Sequence, residues 1–519
     1  MRLDTLPRPR VKRRAWSHRH RRRRANQPAS AETERILLTP TPLFPRYHGI
    51  VDDVAAFEAA CLSPLPHFFW TNPLRTTPCR LTQRLQADGF QVRPLPWHPA
   101  AFRIPAHQTG LGRHWTYLAG HFQIQEASAM VPALVLAPAP DHRVLDLCAA
   151  PGNKTVQCAV AMNNRGTVVG NDLVCGRLSP LRQSIDRLGL FNVTITCHDG
   201  VNYPPRTGPF DRILVDAPCS CEGTSRRATK RSGGQPSPHL RFQHKQILLL
   251  SQAVRRCRVG GRILYSTCTY APEENEAVVD AVLRQFSGRL AMVPFEVAGL
   301  RTSEGLTRWQ QTAFLPEVAA ARRIWPHHND TGGFFLALLE RTDGSEDDPV
   351  PGFIDEKRQK PGGFQHLSAR RSDVLRMMAH RFGIPPGVWD GLVFLENNAQ
   401  VGFLATHDHR PPDLAEQSSG LKCVHLRPRY PILTTGAAAA FGPLATANRI
   451  ALSAEQRDAY LSRLAFTPSA EQLAACHGTG YVLLCWQETV LGLGFYGADQ
   501  GQVASLFPKS MALSGVSPD

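Results

Sequence analysis

The sequence predicts an α/β protein built on a doubly wound, mostly parallel sheet. Between residues 141 and 340, short apolar runs alternate with amphipathic stretches. Strands that alternate with helical patterns are typical of a parallel sheet with helices on both faces. Several of the apolar runs end in Asp or Cys, and ligands bind beyond the carboxyl ends of the strands in such sheets.

Six apolar runs in this central region are predicted strands. The amphipathic stretches at 176–190 and 240–257 lie between them and indicate helices that cover the sheet. We therefore predict a central domain at 141–343, whose strands lie at 143–149, 166–172, 193–199, 212–217, 262–267 and 334–341.

The rest of the chain, which at 519 residues is long enough for about three domains, divides by composition. Residues 35–140 mix short helical and strand patterns. Residues 344–363 are charged and rich in Pro and Gly, which is typical of a linker. A small mixed region is expected at 364–425, and 426–519 show the short alternating strands and glycine turns of a small barrel.

The net charge of +16 is concentrated at the N-terminus, where residues 1–30 contain eleven Lys or Arg and a single acidic residue, Asp4. Segment 1–34 cannot bury enough apolar surface to fold, so we predict a basic disordered tail. Such a tail adds salt-sensitive affinity for a phosphate backbone. The alternatives are a dispensable extension and a targeting segment.

The cysteines and the apolar runs indicate the compartment. The sequence contains no run of about 18 apolar residues and no signal-peptide core, so we expect no membrane partner. The thirteen cysteines have no regular spacing and include no C-x-x-C pair. This pattern predicts reduced thiols in a cytoplasmic protein without a metal site. Nothing in the sequence indicates more than a monomer.

A turn of small residues follows the first predicted strand, before a helical pattern begins. Such a turn lets the backbone approach a ligand closely and points helix N–H groups toward it. The turn lacks both G-x-G-x-x-G and the phosphate-binding G-x-x-x-x-G-K-[ST], which disfavours nicotinamide chemistry and nucleotide hydrolysis. The candidate cofactor loop consists of Cys148, Ala149, Ala150, Pro151, Gly152, Asn153 and Lys154.

Four successive predicted strands end with an aspartate: Asp146, Asp172, Asp199 and Asp216. Charged side chains at the ends of core strands need a partner, and a nucleoside offers amines and hydroxyls. An acidic residue at the end of the second strand commonly binds ribose hydroxyls, which favours Asp172 for that role. The alternative is that these aspartates cap helices or turns.

Three cysteines lie at the ends of two predicted strands, where a buried structural thiol is not expected. Cys219 and Cys221 follow Asp216, and Cys268 follows strand 262–267. Other cysteines of the sheet region are predicted to be small buried hydrophobic residues, namely Cys148, Cys158, Cys175 and Cys197.

These motifs resemble a known family. CAAPGNKT, VDAPCSCEGT and YSTCTYAPEENE, in this order, resemble the signatures of the RNA cytosine-5 methyltransferases of the NOL/NOP/Sun type. The upstream segments FFWTNPLR and LAGHFQIQEASAMVP extend the resemblance over roughly residues 55–340. GLGF and the final SLFPKSMAL resemble the PUA-like RNA-binding end of the bacterial ribosomal small-subunit methyltransferase F group.

The resemblance implies a fold and a cofactor. It implies a class I (Rossmann-like) methyltransferase domain at 141–343, an N-terminal RNA-binding region at 35–140 and a C-terminal PUA-like domain at 426–519. The cofactor would be S-adenosyl-L-methionine, bound by the loop from Cys148 to Lys154 together with Asp172, Asp199 and Asp216. Asn153 stands where the family often has glycine, and asparagine tolerates unusual backbone angles.

The resemblance also implies roles for the thiols. Cytosine C5 is a poor nucleophile, but a thiolate that adds at C6 makes C5 reactive enough to take a methyl group. Cys268 would be this nucleophile and Cys219 would aid product release, while Asp216 and Lys154 would contact the base or tune a thiol pKa. Two alternatives stay open: Cys221 could replace Cys219, and in DNA cytosine methyltransferases the P-C cysteine is itself the nucleophile.

The implied substrate is RNA. We expect 5-methylcytosine formation in small-subunit (16S) rRNA, with tRNA as the alternative substrate and the assembling small subunit as a possible partner. A non-catalytic RNA-binding assembly factor is the less favoured alternative. The cationic segment 225–234 could be a mobile lid that grips phosphates, or an ordinary solvated loop.

Overall fold

The protein is described from a computed structural model, which covers residues 43–227, 239–343, 364–366, 369–397, 399–412, 414, 416–426 and 432–513. The predicted tail at 1–34, most of the cationic segment at 225–234 and the predicted linker at 344–363 lie outside these described residues. The elements below belong to the unit that begins at Arg46.

An antiparallel sheet forms the N-terminal part, with strand order β2-β3-β1-β4. Helix α2 begins after Thr77, whose side chain accepts a hydrogen bond from the Arg80 amide, and it buries Leu81 and Leu85 one turn apart against the sheet. The elements are α1 (Val54–Leu62), β1 (His67–Thr71), α2 (Pro78–Ala87), β2 (Arg93–Leu95), β3 (His98–Ile104), α3 (Trp115–Leu118) and β4 (Phe122–Ile124).

The central part is a large mixed sheet flanked by helices. Its elements are α4 (Ala127–Leu136), β5 (Arg143–Asp146), α5 (Asn153–Ala161), β6 (Thr167–Asn171), α6 (Ser179–Leu188), β7 (Val193–Thr196), β8 (Phe210–Asp216), α7 (His239–Arg256), β9 (Cys257–Thr267), α8 (Glu276–Gln285), β10 (Leu290–Met292), β11 (Ser303–Glu304), β12 (Arg308–Trp309), β13 (Thr312–Ala313), β14 (Arg322–Ile324), α9 (Pro326–Asn329) and β15 (Phe334–Arg341).

The strand order along this sheet is β11-β14-β15-β9-β8-β5-β6-β7-β19, where β19 is the strand Glu416–Ser419. Strands β9, β8, β5, β6 and β7 run parallel, and β15 is antiparallel to β9. The chain proceeds from β5 through β6 to β7 and then returns to β8 on the other side of β5. This reversal creates a crevice beyond the carboxyl ends of β5 and β8, where open α/β sheets bind ligands.

The predicted α/β fold and all six predicted strands are confirmed. Alternate side chains of the strands pack on opposite faces, as Val144 and Leu145 do in β5. One face packs against α4, α5 and α6, and the other against α7 and α8. Strands β5 and β7 end three residues earlier than predicted, so that Cys148 and Asp199 lie in the loops that follow them.

The C-terminal part contains two small sheets, with strand orders β16-β17-β18-β20-β21 and β22-β23-β24-β25. Their elements are β16 (Phe364–His366), α10 (Ala369–Phe382), β17 (Leu392–Asn397), β18 (Val401–Thr406), β20 (Leu421–His425), β21 (Ile432–Leu433), α11 (Thr435–Phe441), β22 (Arg449–Ala451), α12 (Ala454–Leu461), α13 (Ala470–Leu473), β23 (Gly480–Trp486), β24 (Thr489–Gly497) and β25 (Gln502–Ser505).

Two features differ from the predicted division at 364–425 and 426–519. Strand β19 pairs antiparallel with β7, so the small mixed region supplies an edge strand to the central sheet. The two small sheets also share one apolar core, in which Phe394 and Val424 pack together with Leu483 and Val490. The physical reason is that neither small sheet buries enough apolar surface alone. Among the described helices, none is both long enough and apolar enough to cross a lipid bilayer.

A buried ion pair joins α8 to β14 beneath the end of strand β9. The Arg323 Nε donates to the Glu276 carboxylate at 2.7 Å, and its Nη1 donates to the Tyr270 carbonyl at 2.9 Å. Both charged side chains are almost completely buried, at 3% and 0% exposure. The pair therefore fixes the chain directly after Cys268 against the edge of the sheet.

We expect Glu276→Gln to lower the free energy of unfolding by about 3 kcal/mol, because it leaves the buried Arg323 guanidinium without a countercharge. Thermal unfolding followed by circular dichroism measures the change. Arg284→Gln is the matched control, since it breaks an exposed ion pair with Asp280 on the same helix and should leave the midpoint unchanged. Equal midpoints for Glu276→Gln and the wild type would show that the buried pair does not hold this region.

Candidate active site

A cavity of about 440 Å³ opens at the carboxyl ends of β5, β6, β8 and β9. Nearly all of the predicted site residues line it, and Gly152 is the exception. The predicted residues that line it are Cys148, Ala149, Ala150, Pro151, Asn153, Lys154, Asp172, Asp199, Asp216, Cys219 and Cys268, and the wall also includes Asp146, Cys221 and Lys245. The motifs quoted from separate parts of the sequence thus meet at one site.

Gly152 allows the candidate cofactor loop to turn tightly against Leu181. Its φ of +113° is open to glycine but strained for other residues, and an added Cβ would lie 2.6 Å from the Leu181 Cβ. Asn153 does not adopt the unusual backbone angle that the sequence suggested, because the left-handed residue is Gly152 and Asn153 is already the first residue of α5. The Asn153 side chain instead accepts a hydrogen bond from Gln123 at 2.6 Å.

Asp146 offers the cavity a carboxylate oxygen that is not otherwise used. The side chain is 2% exposed, and the Thr155 hydroxyl donates to its Oδ2 at 2.6 Å. Its Oδ1 is buried and has no hydrogen-bond partner within the part of the chain that the structure describes. Burial raises the pKa of Asp146 to about 7. A ligand amine or hydroxyl at this position would satisfy the unpaired oxygen.

Asp172 and Asp199 line the cavity and also stabilise their own loops. Asp172 accepts hydrogen bonds from the amides of Ala150 at 3.3 Å and Val174 at 3.0 Å, which couples the loop after β5 to the loop after β6. Asp199 accepts from the Val201 amide at 3.1 Å and caps a short turn. These contacts agree with the alternative that the two aspartates cap turns. Both side chains also line the cavity, where a ligand can contact them.

Lys154 and Asp216 form an ion pair in the cavity wall. The Lys154 ammonium donates to Asp216 Oδ2 at 2.7 Å, and the Ser266 hydroxyl donates to Oδ1 at 2.9 Å. Burial alone would lower the pKa of Lys154, but the charge of Asp216 and its hydrogen bond outweigh burial and raise that pKa. Lys154 therefore remains a cation beside the thiols.

The three strand-end cysteines form one cluster. The Cys219 and Cys268 sulfurs are 3.4 Å apart, and the Cys219 and Cys221 sulfurs are 4.0 Å apart. Hydrogen bonds from the Cys219 and Cys268 thiols lower the pKa of Cys221 to about 3. Donation to its two neighbours, together with burial, raises the pKa of Cys219. The hydrogen bond from Cys219 lowers the pKa of Cys268, but the contact with Cys221 and burial outweigh it, so the pKa of Cys268 is also raised.

A buried carboxylate, Glu274, holds the loop that carries Cys219. Its side chain is fully buried and accepts hydrogen bonds from the Ser220 amide at 3.0 Å, the Gln246 side chain at 3.0 Å and the His239 ring at 2.6 Å. The Gly223 amide also donates to the Cys268 carbonyl at 2.9 Å. These contacts tie the Cys219 loop to the segment that contains Cys268.

The three glutamates of this segment, Glu273, Glu274 and Glu276, have different partners, and the sequence alone does not reveal them. Only Glu276 lies in the first turn of α8, and it also pairs with Arg323. Glu273 accepts hydrogen bonds from Arg46 and Trp309 instead. No signal in the sequence distinguishes Glu274 from its neighbours, because it lies in the polar segment PEENE.

Two other cysteines contradict the predicted state. Cys175 and Cys197 form a disulfide with a Cα–Cα distance of 5.5 Å, whereas the remaining eleven cysteines are free. The prediction that both are reduced, buried thiols is therefore wrong. Each follows the end of one of two paired strands, β6 and β7, and neither side chain is fully buried. Cys158 is buried as predicted, and Cys148 is half-buried in the cavity wall.

Gly152→Ala should destabilise the candidate cofactor loop by about 2–4 kcal/mol, because a Cβ clashes with Leu181 at a left-handed backbone position. We expect a lower unfolding midpoint and at least tenfold weaker binding of S-adenosyl-L-methionine by calorimetry. Gly49→Ala is the control, since an added Cβ meets nothing within 4 Å there. Unchanged binding by Gly152→Ala would mean that the loop does not hold the ligand.

Cys221 should be the first thiol to react with iodoacetamide at about pH 5, where an ordinary thiol with a pKa of about 8.5 is almost fully protonated. The lowered pKa keeps Cys221 as a thiolate until the pH falls toward 3, and the side chain is exposed. Peptide mass spectrometry after timed labelling measures the order of reaction. Labelling of Cys221 no faster than free cysteine at that pH would show that the cluster does not acidify it.

Comparison with known proteins gives one consistent result. A model of the family described as 16S rRNA methyltransferase RsmB/F matches residues 133–340. The tRNA (cytosine(49)-C(5))-methyltransferase of Pyrococcus abyssi is 34% identical over 58% of this chain and 95% of its own length. Ribosomal RNA small subunit methyltransferase F of Klebsiella pneumoniae is 33% identical over 64% of this chain and 68% of its own.

Two further matches show how much of the chain the similarity covers. The human 28S rRNA (cytosine(4447)-C(5))-methyltransferase is 34% identical over 57% of this chain, but the match spans only 37% of the human protein. A crystal structure of a methyltransferase homologue from Pyrococcus horikoshii superposes with a TM-score of 0.50 at 32% identity, over 56% of this chain and 91% of the other. The fold, the site and these relatives together place the chain in the RsmB/F family of RNA cytosine-C5 methyltransferases.

Proposed function

We propose that this protein is an S-adenosyl-L-methionine-dependent RNA (cytosine-C5)-methyltransferase that acts through a covalent intermediate. The observation that carries the proposal is the 3.4 Å separation of the Cys219 and Cys268 sulfurs, at the carboxyl ends of neighbouring strands and beside the Lys154–Asp216 pair. A single nucleophilic step needs one thiol, whereas addition and later elimination at the same ring can use two.

The residues of the cavity fit the cofactor. Asp172 lies where ribose hydroxyls are commonly bound, and Asp146 and Asp199 add further carboxylates to the cavity wall. Within the described chain, no side chain caps the N-terminus of α5, so its first amides are available to a ligand. When bound, S-adenosyl-L-methionine supplies an electrophilic methyl group. The loop from Cys148 to Lys154 would hold it, with Asp172, Asp199 and Asp216 around it.

The thiols divide the chemistry between them. Cys268 Sγ forms a bond to C6 of the cytosine, which makes C5 electron-rich enough to take the methyl group. The C5 proton then passes to a base or to water, its bonding electrons form the C5–C6 double bond, and Cys268 leaves C6 as a thiolate, which releases 5-methylcytosine. Cys219 lies within reach of the same ring and aids this release. Asp216 and Lys154 contact the polar edge of the base and stabilise its charged form.

The target base has to leave its stack to reach Cys268. Removing a base from structured RNA costs a few kcal/mol, and contacts in the pocket offset this. We assign RNA binding to the N-terminal region at 35–140 and to the C-terminal part at 426–519, which would act as a PUA-like domain. Monomeric state and cytoplasmic location stay predictions from the sequence.

Small-subunit (16S) rRNA is the substrate we propose, and the assembling small subunit is the corresponding partner. The family description and the rRNA small-subunit relative support it, because that relative extends over 64% of this chain. A tRNA substrate is the alternative, since the Pyrococcus abyssi tRNA enzyme matches over 95% of its length. A non-catalytic assembly factor is disfavoured because both thiols and the Lys154–Asp216 pair line one cavity.

The test uses tritiated methyl-labelled S-adenosyl-L-methionine and RNA from cells that lack this activity. We expect label in small-subunit rRNA with the wild type and at least 10³-fold less with Cys268→Ala, because the covalent step supplies several kcal/mol. We expect Cys219→Ala to accumulate a protein–RNA adduct that survives denaturing gel electrophoresis. Cys79→Ala, which removes an exposed thiol on α2, is the matched control.

Each other outcome has a defined meaning. Label in the tRNA fraction would retain the chemistry and replace the substrate. An adduct with Cys268→Ala instead of Cys219→Ala would exchange the two thiol roles. No transfer to any RNA by a folded wild-type protein would contradict the proposed function.

A further inference from the structure

The active-site cluster contains one thiol that the proposed reaction does not use. Cys219 and Cys268 carry the chemistry, yet Cys221 also points its sulfur into the same space and lines the cavity. One ligand atom from each of the three residues lies within 4.8 Å of the others. Three convergent sulfurs from two separate loops are the donor set of a soft-metal site rather than of a two-thiol reaction.

We propose that Cys219, Cys221 and Cys268 bind a thiophilic divalent cation of the Zn²⁺ class, with a fourth position open to the cavity. A Zn–S bond is about 2.3 Å, so two sulfurs in a tetrahedral site lie about 3.8 Å apart. The two measured separations, 3.4 Å and 4.0 Å, lie on either side of that value. The third pair of sulfurs, those of Cys221 and Cys268, lies within 4.8 Å.

The backbone holds Cys221 in a conformation that a side chain rarely adopts. Its φ is +61°, in the left-handed region that glycine occupies without strain and other residues occupy at a cost. The Cys221 carbonyl accepts hydrogen bonds from the Thr224 amide at 3.0 Å and the Thr224 hydroxyl at 2.8 Å. The turn therefore keeps the sulfur at the cluster.

The neighbouring loop contacts preorganise the donors. Glu274 fixes the Ser220 amide between the two cysteines of this loop, and the Ser220 hydroxyl bonds Thr269 at 2.7 Å, directly after Cys268. The three sulfurs thus belong to one rigid assembly. A preformed set of ligands binds a metal more tightly than ligands that have to be ordered.

Metal binding would have a consequence for catalysis, and this consequence rests on the proposed function. Each thiol that binds the ion gives its proton to solvent, and the Cys268 sulfur is then no longer free to add to C6. A bound ion would keep the site inactive, and a chelating thiol that removes the ion would restore it.

The test uses Co²⁺ as a spectroscopic probe of the full-length protein without RNA, with the cluster thiols free and the Cys175–Cys197 disulfide intact so that it adds no thiolate ligands. We expect a near-ultraviolet thiolate-to-cobalt charge-transfer band of the intensity of one thiolate-bound Co²⁺ per chain, which disappears when Zn²⁺ displaces the Co²⁺. Cys221→Gly suits the left-handed backbone and removes only the third donor, so it should bind Co²⁺ at least tenfold more weakly. Cys79→Ser, at an exposed thiol outside the cluster, should bind like the wild type.

Three controls keep the result clear. Circular dichroism verifies that Cys221→Gly is folded. A second cluster, Asp52 with His327 and His328, could also hold an ion, but it contains no sulfur and gives no thiolate band. Because the titration needs neither RNA nor methyl transfer, a positive result stands even if the proposed function fails. A wild type without the band, or Cys221→Gly with wild-type affinity, would overturn the proposed metal site.

Discussion

The register between strands β8 and β9 is the constraint on which the site depends. Asp216 lies opposite Ser266, and the Ala217 amide donates to the Ser266 carbonyl at 3.0 Å. Cys219 and Cys268 follow these positions by three and two residues, so the two parallel strands deliver their sulfurs to one point. A shift of one residue would turn every side chain of β9 to the other face and separate the thiols. Close packing on both faces opposes such a shift, since Leu214 and Leu264 lie in one apolar cluster while Tyr265 lies in the other.

Buried charged side chains fix the loops that follow strands β8 and β9. The loops beyond β8 and β9 have little apolar surface of their own, and their backbone amides need acceptors. Glu274 supplies acceptors to the Cys219 loop, while Arg323 supplies a donor to the Tyr270 carbonyl and pairs with Glu276. Each carboxylate would be costly alone and is stable here because its oxygens are satisfied. The buried carboxylates of the PEENE segment thus hold the loops of the candidate active site in place.

The sequence predicted those features that depend on local pattern. Apolar period, turn composition and strand-end polarity placed the six strands, the loop from Cys148 to Lys154 and the three cysteines in one crevice. The features it missed depend on contacts between distant segments. Strand β19 reads EQSS, which carries no apolar signal, and forms only because the edge of β7 is present. The Cys175–Cys197 disulfide and the hydrogen bonds of Glu274 likewise follow from the tertiary arrangement.

Strand β19 also determines when the central sheet is completed during synthesis of the chain. It covers the β7 edge by pairing residue 416 with residue 196, and a free edge of this kind is a template for association with other chains. All the strands of the parallel core precede it in the chain, so during synthesis that core can assemble while its β7 edge is still open. Contacts between such distant segments form slowly. The parallel core is therefore complete before its edge is covered, and the nascent chain has to avoid self-association until residues 416–419 emerge.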